Sequence, residues 1–527
     1  MHGNMSRMRG TPAKAEAPSD SGDRGPILVA LMLTMGLAAL DSTIVATAIP
    51  QIVSSLGGFA LFPWVFSIYL LTQAVAVPIY GRLADLFGRK PVLFVGIAIF
   101  LAGSALCGAA WSMITLVVFR GLQGIGAGAI IPMTTTIVGD LYTMEERGRI
   151  QGYISSVWAM ASVVGPALGG VFAQYWTWRG IFYLNLPIGL GAVIMLQRHL
   201  REEVHRRSHR IDYAGAGVLT VSLSILILAL LEGGVDWSWT STQSLALFAG
   251  AGALLAAFVW IERRASEPIL PPWVFSRRVL LSANVASVAI GAVLIGQSSY
   301  VPTYAQGVVG VGAVLAGFAM AAMGVGWPMA SSQAARLYLR IDFRATALIG
   351  SAFTIGGCVL LATFVQADSG LWRVAFASFV TGIGMGFAST SIIVAVQSVV
   401  GWNRRGVATG ANMFTRSLGS AVGVAVFGSI ANTTLASRFR HPPASIAGQL
   451  PRSVNTTTLV FSHSGQSSPQ VVAYTRDALY AASHRVFWAL AVAAGIGLLM
   501  QLLLPRKVEV LTFADEAPAL PDGDPRR

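Results

Sequence analysis

The sequence predicts an all-α membrane protein with about fourteen helical spans, and three observations carry that expectation. Of 527 residues, 54% are hydrophobic and only 11% charged, so there is not enough polar side chain to cover a soluble surface. The apolar residues fall in a series of runs of about 18 to 25, the length needed to cross roughly 30 Å of hydrocarbon at helical rise. Basic residues then crowd into every second loop between those runs.

Read in order, the first six runs are 27–49, 62–82, 91–111, 114–137, 151–173 and 180–197. Two more, 213–231 and 243–261, stand alone, and a second set of six follows at 280–302, 311–333, 345–366, 371–396, 407–430 and 485–504. The expected organisation is a tail over 1–26, a first helical unit over 27–197 and a linker with two extra spans over 198–279. A second unit over 280–504 includes an outer loop at 431–484, and a tail over 505–527 ends the chain. The polar segment Met1 to Gly25 lacks the apolar core and cleavage site of a signal peptide and reads as a tail. The stretch 431–484, rich in Ser, Thr, Pro and Gln, reads as either a disordered flap or a small hairpin.

Charge tests the span count, because one missed helix would exchange the two sides from that point onward. Alternate loops hold 27 of the 36 basic residues, including Arg82, Arg89, Lys90, Arg147, Arg149, Arg336, Arg340, Arg344, Arg404 and Arg405. The opposite loops hold seven, four of them in 431–484, a loop long enough for charge to bear weakly on its translocation. Both termini are expected in the cytoplasm, and the chain in the inner (plasma) membrane as a multi-pass protein. The net charge of +13 would suggest nucleic acid in a soluble protein, but here it is dispersed between apolar runs, and no nucleic-acid partner is expected. Cys107 and Cys358 lie inside apolar runs and read as small buried side chains, so neither a disulfide nor a metal is expected. The absence of a Gly-x4-Gly-Lys-Ser/Thr string excludes a nucleotide-hydrolysing loop of that kind, and no cluster of His, Cys and acids has the spacing of an enzyme site. No cofactor and no enzymatic activity are expected.

The most specific string is Gly81 to Pro91, GRLADLFGRKP, between the second and third spans. Gly81 and Gly88 permit close helix approach and a tight turn, Arg82, Arg89 and Lys90 can hold the loop at the headgroups, and Asp85 needs a positive partner. The string resembles the signature loop of the major facilitator superfamily, with Leu86 where many relatives carry a base. The resemblance implies that Asp85 latches onto the start of a helix in the other half, here at Arg404, Arg405 and the helix beginning near Gly406. Arg336, Arg340, Asp342 and Arg344 form a degenerate echo of the loop, as expected of a duplicated half.

Leu40 to Pro50, LDSTIVATAIP, is similar to a string of the fourteen-span drug:proton antiporter branch, the EmrB/QacA type. Asp41 is the one acid deep within a span, and a lone carboxylate in hydrocarbon is costly enough to be a functional candidate; a structural, hydrogen-bonded Asp is the other reading. Arg120 to Gly128, RGLQGIGAG, resembles the superfamily motif that carries a buried Arg. Asp41 and Arg120 lie at comparable depth, roughly 12 and 9 Å from the outer ends of their spans, and can meet. Their ion pair is either broken when Asp41 takes a proton or a static feature of assembly. Gly165, Pro166, Gly169 and Gly170 lie in a string similar to the antiporter motif and give either a gating bend or a fixed kink. Trp178 to Gly189 reads as interface anchoring. Gln123, Tyr300 and Arg416 are candidate cavity residues, Arg416 near the midplane of its span and facing protein or water, not lipid.

The resemblance covers roughly residues 27–504 and implies the major facilitator fold, two six-helix bundles plus two inserted spans, rocking around a central cavity. It also implies a proton-coupled antiporter that exports hydrophobic or amphiphilic compounds, with protons, a small lipophilic substrate and the bilayer as partners. Alternatives are export of an endogenous lipid, siderophore or metabolite, and a transport-dead sensor. The oligomeric state is open.

Overall fold

In a computed structural model, residues 24–57, 61–202, 212–233, 237–265, 268–440, 442–443 and 469–506 are described. The expected terminal tails lie largely outside these residues, as do 203–211 in the linker and 444–468 in the outer loop.

The first unit contains α1 (Arg24–Leu56), α2 (Phe62–Phe87), α3 (Arg89–Gly108), α4 (Met113–Leu141), α5 (Met144–Tyr175), α6 (Arg179–Tyr183) and α7 (Asn185–His199). The pair α8 (Tyr213–Glu232) and α9 (Thr242–Glu262) follows, then a short α10 (Trp273–Ser276). The second unit contains α11 (Arg278–Tyr304), which ends in a π-turn over Ala305–Val309, α12 (Ala313–Ile341), α13 (Phe343–Thr363), α14 (Leu371–Ser398), α15 (Trp402–Arg440) and α16 (Pro469–Gln501). All fourteen expected segments are therefore helical, the sixth as α6 and α7 with a break at Leu184. Among the described residues, eleven helices are long and apolar enough to cross a membrane. The three expected spans outside that set are those of α5, α8 and α12, of which α8 has a shorter apolar stretch, Ala214–Leu230.

Helices α5 and α12 make the most extensive contact between the units. They face each other across the boundary between the units, where Gly148 lies against Ala335 and Gly152 against Ser332 and the Pro328 carbonyl. Small residues on the facing surfaces let the two helices approach this closely. The same close approach recurs between α2 and α15, where a Cβ on Gly81 would collide with the Gly406 carbonyl at 2.8 Å. These two crossings join the units, and α8 packs on α2 and α15 at their margin.

Helix starts follow local chemistry. Ser112 with Thr115 and Thr143 with Glu146 form capping boxes at α4 and α5, satisfying N–H groups that have no partner within the helix. No residue separates α2 from α3 except Gly88, whose φ of 94° and ψ of 159° are accessible to glycine alone without strain. Asp342, the single residue between α12 and α13, adopts nearly the same conformation, φ 108° and ψ 166°, and its carboxylate caps Ala345 N–H at 2.6 Å.

The outer loop expected at 431–484 is shorter than hydropathy suggests. Helix α15 continues to Arg440, and α16 begins at Pro469, well before the apolar run. Leu435, Ala478, Leu479 and Ala482 are buried together, Phe439 meets Tyr474 edge to face, and Tyr474 Oη donates to the Arg438 carbonyl at 2.6 Å. The two extensions stabilise each other through an apolar seam, although their outer faces are polar.

Candidate functional site

Asp41, on α1, is fully buried within the first unit and accepts from three side chains. Arg120 Nη1 on α4 lies 2.5 Å from Oδ2, while Gln123 Nε2 at 2.8 Å and Asn185 Nδ2 at 3.3 Å reach Oδ1. Arg120 is also fully buried: it donates to the Val65 carbonyl at 3.2 Å and to Gln123 Oε1 at 2.8 Å, and its guanidinium lies 4.2 Å from the Tyr69 ring centroid. Ser104 on α3 receives the second donation of Asn185 at 3.0 Å. Donors and acceptors thus surround both charges, as buried ions require.

Glycines make this density achievable. Gly103 leaves room for the Gln123 backbone, Gly124 and Gly128 let α4 close on α2, and Gly126 meets Gly96 and Phe100 of α3. The glycine string after Arg120 therefore serves packing. Gly165 on α5 seats Thr43, whose Oγ1 donates to the Ala161 carbonyl at 3.0 Å, so the expected antiporter string clamps α1 two residues from Asp41. The backbone of α5 stays helical through Gly165–Gly170 and Gly169 is buried; the side-chain surroundings of Pro166 and Gly170 lie outside what is described.

Asp85 reaches the other unit at the end rich in basic loops. Its carboxylate accepts from Gly406 N–H at 2.9 Å and Val407 N–H at 2.8 Å, near the start of α15. The charge partner differs from expectation: it is Arg89 of the same loop, 3.0 Å away, not Arg404 or Arg405. Arg405 pairs with Asp140 at 3.1 Å, and Arg404 is exposed beside the Trp273 ring. The reason is spacing. Asp85 and Arg89 are four residues apart, whereas Asp140, at the end of α4, lies between Arg89 and Arg405 and pairs with both. Arg89 also donates to the Trp402 carbonyl and stacks 3.7 Å over the Trp402 ring. Glu202 holds the loop from below, accepting from Arg89 N–H and Lys90 N–H at 2.7 Å each, while Lys90 Nζ donates to the Leu200 carbonyl at 2.6 Å.

The remaining candidates lie apart. Tyr300 lines a cavity of about 130 Å³ in the second unit, beside Leu230 and Gly233 of the α8 end. Arg416 lines a cavity of about 20 Å³ between the units. Neither touches the Asp41 cluster, which Gln123 alone of the three joins. Asn185 and Trp178 correct the expectation of interface anchoring: Trp178 is buried and donates to Ser55 Oγ at 2.9 Å, and Asn185 belongs to the Asp41 cluster. Pro187 marks a change in the helix close to Asn185 but not which way Asn185 faces. Tyr69, Ser104, Asp140 and Glu202 carried no signal beyond their residue types.

The family model described as Major Facilitator Superfamily matches residues 31–424. The chain belongs to that superfamily. Its multi-pass helical architecture is that of a membrane transporter, not an enzyme. Among curated relatives, it is 37% identical to the multidrug transporter protein MdtP of Bacillus subtilis over 77% of this chain and 75% of the relative. It is 35% identical to multidrug resistance protein 3 of the same organism, over 77% and 79%. The solved human organic anion transporter MFSD10 superposes with a TM-score of 0.61 at 14% identity, covering 92% of this chain and all of that one, which speaks to the fold alone.

Proposed function

We propose that this protein is a fourteen-span drug:proton antiporter of the EmrB/QacA type, exporting hydrophobic or amphiphilic compounds from the cytoplasm by alternating access. Both termini and the basic loops face the cytoplasm in this reading. The curated relatives, named for multidrug transport and resistance, support the cargo class. The observation that carries the energy coupling is the buried pair of Asp41 and Arg120 at 2.5 Å.

A proton delivered to Asp41 removes the counter-charge of Arg120. The guanidinium then keeps only neutral partners, Gln123, the Val65 carbonyl and the Tyr69 face, and a buried cation left so is destabilised by about 3–5 kcal/mol. Rearrangement of α1 against α4 relieves that cost, and Thr43, seated on Gly165, transmits it to α5 and so to the boundary with α12. At the basic end, Asp85 on Gly406 and Val407, with Asp140 bridging Arg89 and Arg405, holds the units together in the conformation described here. Breaking these contacts opens the cavity to the cytoplasm.

The test is Asp41→Asn in sealed vesicles, which keeps the shape and one acceptor oxygen but removes the charge. Ethidium movement driven by an imposed pH gradient should fall more than tenfold, measured on protein that is inserted and still folded at the assay temperature. Undiminished pH-driven movement removes Asp41 from the coupling.

A further inference from the structure

Arg416 is half-buried and differs from the buried arginines Arg89, Arg120 and Arg405. It lies 14 residues after Trp402, the first residue of α15, or about 21 Å along the helix at 1.5 Å per residue, too deep for its side chain to reach the headgroups. Its backbone is pinned: a Cβ on Gly291 of α11 would fall on the Arg416 carbonyl, Gly419 is equally tight against Val288, and Ser420 Oγ donates to the Gly291 carbonyl at 3.1 Å. Arg89, Arg120 and Arg405 each have a carboxylate within 3.1 Å. The Arg416 guanidinium has no ion pair and no hydrogen bond among the described residues.

What it has is a place at the boundary of the two units. The cavity it lines takes Thr135 and Gln151 from the first unit and Ser287, Ser389 and Asn412 from the second, with no carboxylate in the wall. Thr135 and Asn412 already donate to neighbouring groups, but Gln151 and Ser389 make no side-chain hydrogen bond among the described residues and, with the lone guanidinium, offer donors to an oxyanion, while Ile290, Ile393 and Met413 offer an apolar surface to whatever body carries it. At about 20 Å³ the space holds no more than about one water in this conformation. Its walls belong to both units, so parting them widens it and presents the guanidinium to a compound entering from the basic end.

We propose that Arg416 recognises an acidic group, a carboxylate or other singly charged oxyanion, on an otherwise apolar exported compound. The inference rests on the export reading above and adds a substrate class to it. An unpaired cation in a span is costly, and an incoming anion relieves that cost, which a neutral or cationic compound of the same body cannot do. The acid site and the Asp41 cluster share no residue, so substrate recognition and proton binding are separable.

The experiment uses the full chain in lipid nanodiscs without any gradient. Three probes share one body: 1-pyrenebutyrate, its methyl ester and the corresponding pyrenebutyl trimethylammonium. Affinities are read from quenching of protein tryptophan fluorescence, with protein-free discs subtracted. The wild type should bind the acid about ten- to a hundredfold more tightly than the ester, the worth of a charge-assisted hydrogen bond, and the ammonium least. Arg416→Gln should lose this preference with ester affinity unchanged, and Arg416→Lys should keep part of it. Equal binding of acid and ester by the wild type overturns the inference without recourse to any variant, as does a preference that survives in Arg416→Gln. A protein that drives efflux through Asp41 yet binds acid and ester alike sinks this inference alone; one that prefers the acid through Arg416 but shows no pH-driven efflux sinks the coupling scheme alone.

Discussion

The two helical units repeat one another, and their buried polar clusters occupy matching places with different chemistry. Gly96 on Gly126 in the first unit corresponds to Gly350 on Gly384 in the second, and Gly103 against Gln123 corresponds to Gly357 against Thr381. In that frame Asp41 is matched by Gln297, whose Nε2 donates to Thr381 Oγ1 at 2.8 Å and approaches Cys358 Sγ at 3.9 Å. Arg120, three residues before Gln123, is matched by Ser378, three before Thr381, buried with no hydrogen-bond partner among the described residues. One scaffold thus carries an ion pair in its first copy and neutral amide, hydroxyl and thiol groups in its second. A neutral cluster keeps its charge when protons arrive, so a response to protons at this position belongs to the first unit alone.

The largest effect should separate the two copies. Arg120→Leu leaves Asp41 without its counter-ion, and the loss of stability should be about 3–5 kcal/mol, with pH-driven transport abolished. Gln297→Ala in the second unit removes one neutral hydrogen bond and should cost about 1 kcal/mol, with the pH response intact. Thermal unfolding and vesicle transport measured on both variants check this. A Gln297 variant that loses its pH response would end the asymmetry.

The basic end shows a second asymmetry. Asp85 caps the start of α15, while the matching position before α13 is the exposed apolar Leu339. Asp85→Asn weakens two charge-assisted hydrogen bonds and the pair with Arg89, together about 1.5–3 kcal/mol against the closed basic end. Spin labels at the exposed positions Phe87 and Arg404, one in each unit, should then report a longer and broader distance distribution. An unchanged distribution would mean that Asp85 does not hold the units together.

How much of this was legible in the sequence depended on whether a residue had rivals. Asp41 and Arg120 could be paired because charges deep in the spans are scarce. Asp85 could be placed at the start of α15, but its basic partner could not be chosen correctly among Arg89, Arg404 and Arg405, because Asp140 competes for two of the three and its orientation is a product of folding. Asn185 gives no such signal: one polar residue in an apolar run says nothing of which way a broken helix turns it. Hydropathy located every long helix, though not the short α10, and ended α15 too early, since the seam between Leu435 and Leu479 follows amphipathic order and not mean apolarity.

The smallest expected effect concerns the two one-residue junctions. Gly88 and Asp342 share a backbone conformation that penalises a side chain, yet only Asp342 carries one. Gly88→Ala adds that strain with nothing in return and should cost about 1–3 kcal/mol. Asp342→Gly relieves strain but forfeits the cap on Ala345 N–H, worth about 1 kcal/mol, so the terms oppose and the net change should stay within about 1 kcal/mol. Unfolding temperatures of the two variants in the same lipid decide it. Equal, large losses would mean that the junctions are held by the surrounding packing alone, whereas the predicted inequality shows that the second copy tolerates its aspartate because the carboxylate substitutes a cap for the freedom that glycine provides in the first.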